Sequence, residues 1–286
     1  MSLYGAGPGD RDGCDVTIIV PFYNPGPRFG SHLADVVDVL EGSGSTFEVI
    51  AVSDGSTEAS QQVVAKFAAH GVRLITMASN GGKGSALRAG MVEARGRYVG
   101  FIDADGDIPA RTITRFMELT RTDDAPDIIL GSKRHPESDV VYPALRHIYS
   151  WCYQVLIGIL FHLPVRDTQT GIKFVRRDVL SAVVPRMLEK RFAFDLELLV
   201  VARHLGYRRV IEAPVEIGER FSSTVSIHAV QGIVLDTLAI FYRLHLLKYY
   251  DRPHEVAVAP IASHLPPSPP ATTGPGPREN PLDVPS

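Results

Sequence analysis

Cysteine is scarce in this chain: Cys14 and Cys152 are the only two, and they lie far apart. Two isolated cysteines make neither a disulfide framework nor a zinc site, and their scarcity fits a reducing compartment. An excess of positive charge is also missing. Lys and Arg total 29 against 32 Asp and Glu, a net charge of -3, so the chain lacks the basic surplus of a general nucleic-acid binder. A long unbroken apolar run is missing too. The nearest, residues 147–165, is interrupted by Ser150, Gln154, His162 and Pro164. A spanning helix needs about 20 predominantly apolar residues, so this run is expected to be partly buried or interfacial. Residues 1–15 are Gly-rich, carry no basic-then-apolar export pattern, and are expected to be flexible.

What is present is an alternation. Val16–Val20, Phe47–Val52, Val72–Met77 and Tyr98–Ile102 read as short strands. Helical spacing falls between them, over Leu33–Leu40, Ala59–Ala69 and Lys83–Ala94. Strand and helix in turn predict an α/β domain with a mostly parallel sheet covered on both faces. Ligands in such sheets bind beyond the carboxyl ends of the strands. The polar motifs sit there: Pro21–Asn24, Ser53–Ser56, Asn80–Gly84 and Asp103–Asp107. Their convergence predicts one ligand site.

Asp103-Ala104-Asp105-Gly106-Asp107 places three carboxylates at a strand end. If strand alternation continues, Asp103 and Asp105 share a face. Close carboxylates repel unless a cation sits among them, and Mg²⁺ is commonly held by one or two carboxylates plus substrate phosphates. Asn80-Gly81-Gly82-Lys83-Gly84-Ser85 is not a P-loop. It could still offer backbone N–H groups and one cation to a phosphate at a helix N-terminus. Lys133, Arg134, Arg146 and Lys173 belong to a basic series lying in or beside apolar segments, where an anionic headgroup or lipid phosphate is expected.

Taken in order, Val-x-Ile-x-Val-Pro-x-Tyr-Asn, Asp-Gly-Ser, Asn-x-Gly-Lys-Gly, Asp-Ala-Asp, Gly-Ser-Lys-Arg, Asp-Thr-Gln-x-Gly-x-Lys and Arg-x-Ala-Phe-Asp-x-Glu resemble family 2 glycosyltransferases. The chain is most similar to dolichyl- or polyprenyl-phosphate glucose and mannose synthases, over roughly residues 16–250. The resemblance implies a GT-A, Rossmann-like fold and inverting, metal-dependent transfer of a hexose, with UDP-glucose the favoured donor and Mg²⁺ or Mn²⁺ the cofactor. It implies that Pro21, Tyr23, Asn24, Asp54 and Ser56 bind the nucleotide. Asp103, Ala104 and Asp105 would meet the metal and diphosphate, Asp105 being the direct ligand, with Lys83 and Arg220 near the donor. Asp107 would lie near metal or sugar, and Gln169, Asp167 and Asp195 would shape the sugar and acceptor site. Asp105, Asp107 and Asp195 are thus the implied catalytic set. Lys133, Arg134, Arg146 and Lys173 would receive the acceptor phosphate.

Two apolar segments, 140–165 and 225–250, carry the expectation of peripheral attachment to the cytoplasmic face of a membrane. The domain plan is a catalytic domain over 16–220, amphipathic helices over 221–251, and a disordered tail over 252–286, which holds ten of the 21 prolines. Two other readings stay open: a soluble family 2 transferase acting on a hydroxyl, with a base such as Asp195, and a nucleotide-sugar-binding protein without turnover.

Overall fold

The computed structural model describes residues 13–138, 144–191, 193–217 and 227–254, with only the backbone for 144–152 and 227–231. Residues 1–12 of the expected flexible end 1–15, Arg220, the side chain of Arg146 and residues 255–286 of the expected tail 252–286 lie outside the described residues.

The first half follows the alternation. Strands β1 (Val16–Phe22), β2 (Phe47–Ser53), β3 (Val72–Thr76) and β4 (Tyr98–Ile102) are separated by α1 (Phe29–Glu41), α2 (Glu58–Ala65) and α3 (Lys83–Glu93). The helical spacing read over 59–69 breaks after Ala65, and a 3₁₀ turn at Ala68–His70 replaces its last part. β1 is buried at every position, because a parallel strand with helices on both faces has no wet side. Period-two alternation divides the strands between two cores. Ile18 and Val20 face α1 and α4 (Thr112–Thr120), where Leu33, Val36, Leu40 and Phe116 pack. Ile19, Ile50 and Phe101 face the opposite core with Ala86 and Leu87 of α3.

The second half adds β5 (Ile128–Ser132), α5 (Ala144–Phe161), β6 (Ile172–Arg176), α6 (Arg177–Val183), α7 (Phe194–His204), β7 (Val210–Pro214) and α8 (Ile227–His245). The sheet has seven strands in the order β3-β2-β1-β4-β6-β5-β7. β6 lies antiparallel between β4 and β5, and the other pairings are parallel. The sheet is therefore mixed, and the ends of β1–β5 and β7 share one edge with the start of β6.

α5 and α8 dock on the α3–α7 side. Ile157, Phe161 and Ile240 are buried there, and the hydroxyls of Tyr153 and Thr237 meet at 3.1 Å. Their outer faces leave Val155, Ile159, Leu235, Leu238 and Tyr242 exposed. α5 ends at Phe161, where His162 takes φ +53° and Pro164 follows. Among the described residues no helix is long and apolar enough to cross a membrane.

The end of α8 is fixed by charge as well as by packing. Glu197 of α7 is fully buried and accepts hydrogen bonds from the backbone N–H groups of Leu188 and Glu189 and from the hydroxyl of Tyr250. Arg243 of α8 approaches Glu197 to 3.5 Å and bonds Glu189 at 2.5 Å. The segment 187–191 is thereby tied to α8 on one side. On the other, Lys190 O accepts from Gly84 N, and Met187 O from Arg88.

Candidate active site

A cleft of about 420 Å³ opens at the shared strand edge. It collects Pro21 and Tyr23 from the end of β1, Asp54 from β2, Lys83 from α3, Asp103, Ala104 and Asp105 from β4, Gln169 from the loop before β6, and Asp195 from α7. Nine residues singled out in the sequence, spread over some 175 positions, thus line one cavity.

β4 ends at Ile102, so Asp103 and Asp105 do not continue a strand. They belong to a turn completed by Gly106 at φ +73°, and the turn rather than strand alternation brings both to the cleft. Lys83 Nζ lies 2.5 Å from Asp103 Oδ1, each side chain about one-third exposed (34% and 33%). Partial burial works against the charge on Lys83, but the Asp103 and Asp195 carboxylates outweigh it and raise its pKa above that of an ordinary lysine. Asp105 forms no such ion pair among the described residues. Partial burial pushes its carboxyl above the usual range, Asp103 and Asp107 add repulsion, and the Asp107 N–H bond at 3.0 Å offsets only part of this. Asp107 turns away to Arg28, at 3.6 Å.

The Gly-rich loop differs from expectation. The N–H groups of Gly81 and Gly82 both donate to the Asp54 carboxylate, at 2.7 and 2.9 Å. That of Gly84 goes to Lys190 O, and those of Ser85 and Ala86 go to Gly82 O. These donors are spent inside the protein, so the loop presents its lysine to a ligand rather than a cradle of amides. Asp54 consequently serves as the clamp of the loop as well as a wall of the cleft. Ser56 is buried and ties strand ends together, donating to Phe22 O and accepting from Asn24 N, while Asn24 Oδ1 accepts from Thr57 N.

Lys173 requires a correction. It is fully buried, 3.0 Å from Asp195 Oδ1, and donates to Thr170 O at 2.7 Å. An ammonium committed in this way cannot also meet an acceptor phosphate at the surface. Lys133 and Arg134 follow the end of β5 but are not among the residues that line the cleft. Asp167 braces that turn: Oδ2 accepts from Lys133 N and the Thr170 hydroxyl, and Oδ1 from Gln169 N.

Sequence reasoning missed Arg191 and Phe194, which also line the cleft, and His32. Arg191 was visible as the first residue of the Arg-x-Ala-Phe-Asp-x-Glu motif. His32, buried on α1, packs beneath the turn at Gly106. Burial lowers its imidazole pKa below the usual range, against the pull of Asp105 and Asp103. A single histidine on an apolar helix face carries no sequence signal for this position.

Among the described residues there is no group of three or more His, Cys, Asp or Glu side chains that could hold a metal by themselves. Asp103 and Asp105 form a pair, and Mg²⁺ sites are commonly built from one or two carboxylates completed by substrate phosphates. The strained charge on Asp105 fits a cation there.

Comparison with known proteins agrees with this geometry. The family model described as "Glycosyl transferase family 2" matches residues 17–184. A dolichyl-phosphate beta-glucosyltransferase of Trichomonas vaginalis is 32% identical, over 82% of this chain and 74% of that protein. One of Drosophila melanogaster is 34% identical, over 68% of this chain and 65% of that protein. In structure, glucosyl-3-phosphoglycerate synthase from Mycobacterium tuberculosis, solved with Mn²⁺, UDP and phosphoglyceric acid, superposes with a TM-score of 0.61 over 85% of this chain and 81% of that one. At 15% identity, that likeness speaks for the GT-A fold. With its motifs gathered in one cleft on that fold, the chain belongs to glycosyl transferase family 2 and is a glycosyltransferase.

Proposed function

We propose that the protein transfers glucose from UDP-glucose, with inversion, to the phosphate of a dolichyl or other polyprenyl phosphate, using Mg²⁺ or Mn²⁺. The observation that carries this reading is the meeting of Lys83, Asp103, Asp105, Gln169 and Asp195 in one cleft, in a chain whose relatives are dolichyl-phosphate beta-glucosyltransferases.

Tyr23, half-exposed beside Pro21, offers a ring face to the nucleotide base. The leaving diphosphate gains charge as the anomeric bond breaks, and groups aimed at that charge lower the barrier. Lys83, held in place by Asp103, is one such group. Asp105, with Asp103 beside it, would hold a divalent ion, which would supply Lewis-acid stabilisation of the leaving group. Asp105 is the better ligand because Asp103 already serves Lys83. A phosphate monoester has a second pKa of about 6 and is largely anionic at neutral pH. The acceptor therefore needs orientation and charge compensation more than a general base. Lys133 and Arg134, which follow β5, are candidates for that role, as is Arg146, and Arg220 is a candidate on the donor side; the side chains of Arg146 and Arg220 lie outside the described residues. The exposed apolar faces of α5 and α8 suit an enzyme held peripherally on the membrane that carries its acceptor.

Gly171 checks the donor geometry. A Cβ there would fall within contact distance of Asp103 Oδ2 and 2.8 Å from its Cγ. Gly171→Ala should displace the carboxylate, loosen Lys83 and lower kcat by about 100-fold, the scale set by misplacing a catalytic group by about 1 Å. Its circular dichroism spectrum should stay native. Unchanged kcat would remove Asp103 from the mechanism.

The direct test supplies Mg²⁺ or Mn²⁺, vesicles carrying a short polyprenyl phosphate, and UDP-glucose, UDP-N-acetylhexosamines or GDP-mannose in separate reactions. Mass spectrometry should find a metal-dependent glucosyl lipid, and the protein should float with the vesicles. Donor turnover only with a water-soluble acceptor would replace this reading with transfer to a hydroxyl. Donor binding without any turnover would leave a binding protein.

A further inference from the structure

Lys173 lies on β6 opposite Phe101 of β4, one position short of the strand end from which Asp103 emerges. Its side chain is fully buried, with the ammonium 5.6 Å from the Phe101 ring centre. Burying an ammonium is costly, and an apolar residue of similar size usually serves packing at least as well. Here the ammonium meets Asp195, whose side chain is only 10% exposed and lines the cleft from the first turn of α7. At 3.0 Å the two form an ion pair, yet Asp195 Oδ1 has no aligned hydrogen bond among the described residues. Nearby on the cleft wall, Gln169 has a buried Nε2 with no hydrogen-bond partner among the described residues. A carboxylate acceptor and an amide donor on one wall complement a ring rich in hydroxyls. On the proposed function, with the base at Tyr23 and the diphosphate at Lys83 and Asp105, Gln169 and Asp195 remain among the polar lining residues left for the sugar.

We propose that Lys173 is a positioning residue for donor recognition: it fixes the Asp195 carboxylate at the cleft floor, where it accepts hydrogen bonds from hydroxyls of the donor hexose. This rests on the reading of the cleft as a nucleotide-sugar site. Lys173 itself touches no ligand.

The test measures binding of UDP and of UDP-glucose, with Mn²⁺, to the full chain and to Lys173→Met, Lys173→Arg and the double variant Lys173→Met/Asp195→Asn. Hydrogen bonds to a charged group set the expected scale. Lys173→Met should weaken UDP-glucose by about 10- to 100-fold and UDP by less than about twofold. Lys173→Arg should recover part of the loss. The double variant should regain the melting temperature of the wild type, because no buried charge is left alone, but not its affinity for UDP-glucose. Equal weakening of both ligands, unchanged UDP-glucose binding, or recovery of both properties in the double variant would reduce the pair to packing. Failure of the donor reading looks different: wild-type protein would bind neither ligand, and the comparison passes to GDP and GDP-mannose.

Discussion

Asp105→Asn should lower glucosyl transfer by at least about 100-fold, the scale of losing a charge-stabilising group, without lowering the stability of the ligand-free protein. The two halves of this result share one cause. Partial burial and the Asp103 and Asp107 carboxylates hold the Asp105 pKa above its unfolded value. A carboxyl shifted in that direction contributes stability below the unfolded pKa and loses it as pH rises through the folded one. At neutral pH the charged side chain is therefore a burden that asparagine lacks. Part of the Asp105 surface stays in contact with solvent, so screening keeps the gain small, about 1–2 °C in Tm. The gain should vanish at a pH below the ordinary carboxylate range. Melting curves at both pH values and a transfer assay check the pair of claims. A variant that transfers normally, or melts several degrees lower at neutral pH, would show that Asp105 is a structural group.

Glu197→Ala should be the most destabilising single change at a charged position. Glu197 has no exposed surface, and three hydrogen-bond donors and one guanidinium converge on it. Removing one partner of a buried charge cluster typically costs about 3–5 kcal/mol. Here it would orphan the N–H groups of Leu188 and Glu189 and leave Arg243 with Glu189 as its remaining carboxylate among the described residues. Tyr250→Phe, which removes one hydroxyl, should cost about 1–2 kcal/mol. Urea unfolding separates the two. A loss under about 1 kcal/mol for Glu197→Ala would mean that water replaces the lost carboxylate. Activity should fall as well, since the 187–191 segment also receives Gly84 N beside Lys83.

The first half of the fold was legible because parallel strands buried on both faces leave plain apolar runs. Val16–Val20 and Tyr98–Ile102 could hardly read otherwise. β5, β6 and β7 escaped notice. Ile128–Ser132 contains Gly131, and Ile172–Arg176 carries Lys173 and Arg176, so neither run looks like an interior strand. Lys173 is tolerated there because Asp195 answers it from a helix 22 positions later, a pairing that no local pattern reveals. The cleft was legible as a set of loop motifs, since chemistry concentrates where strands end. What those motifs do for one another was not: that Asp54 holds Gly81 and Gly82, that Asp103 holds Lys83, and that Lys173 backs Asp195 all depend on side-chain direction.

The antiparallel strand β6 bears on how the molecule can be assembled. The ribosome releases β1–β4 first, together with Lys83, Asp103 and Asp105. β4 then presents an open edge until residues 172–176 emerge and slot in beside it, and only then can β5 and β7 join the sheet. Open edges invite pairing with other chains. The elements on either side of β6 are consequently not detachable modules. A chain cut between residues 107 and 172 keeps Asp103 and Asp105 but loses the strand that closes the sheet beneath them.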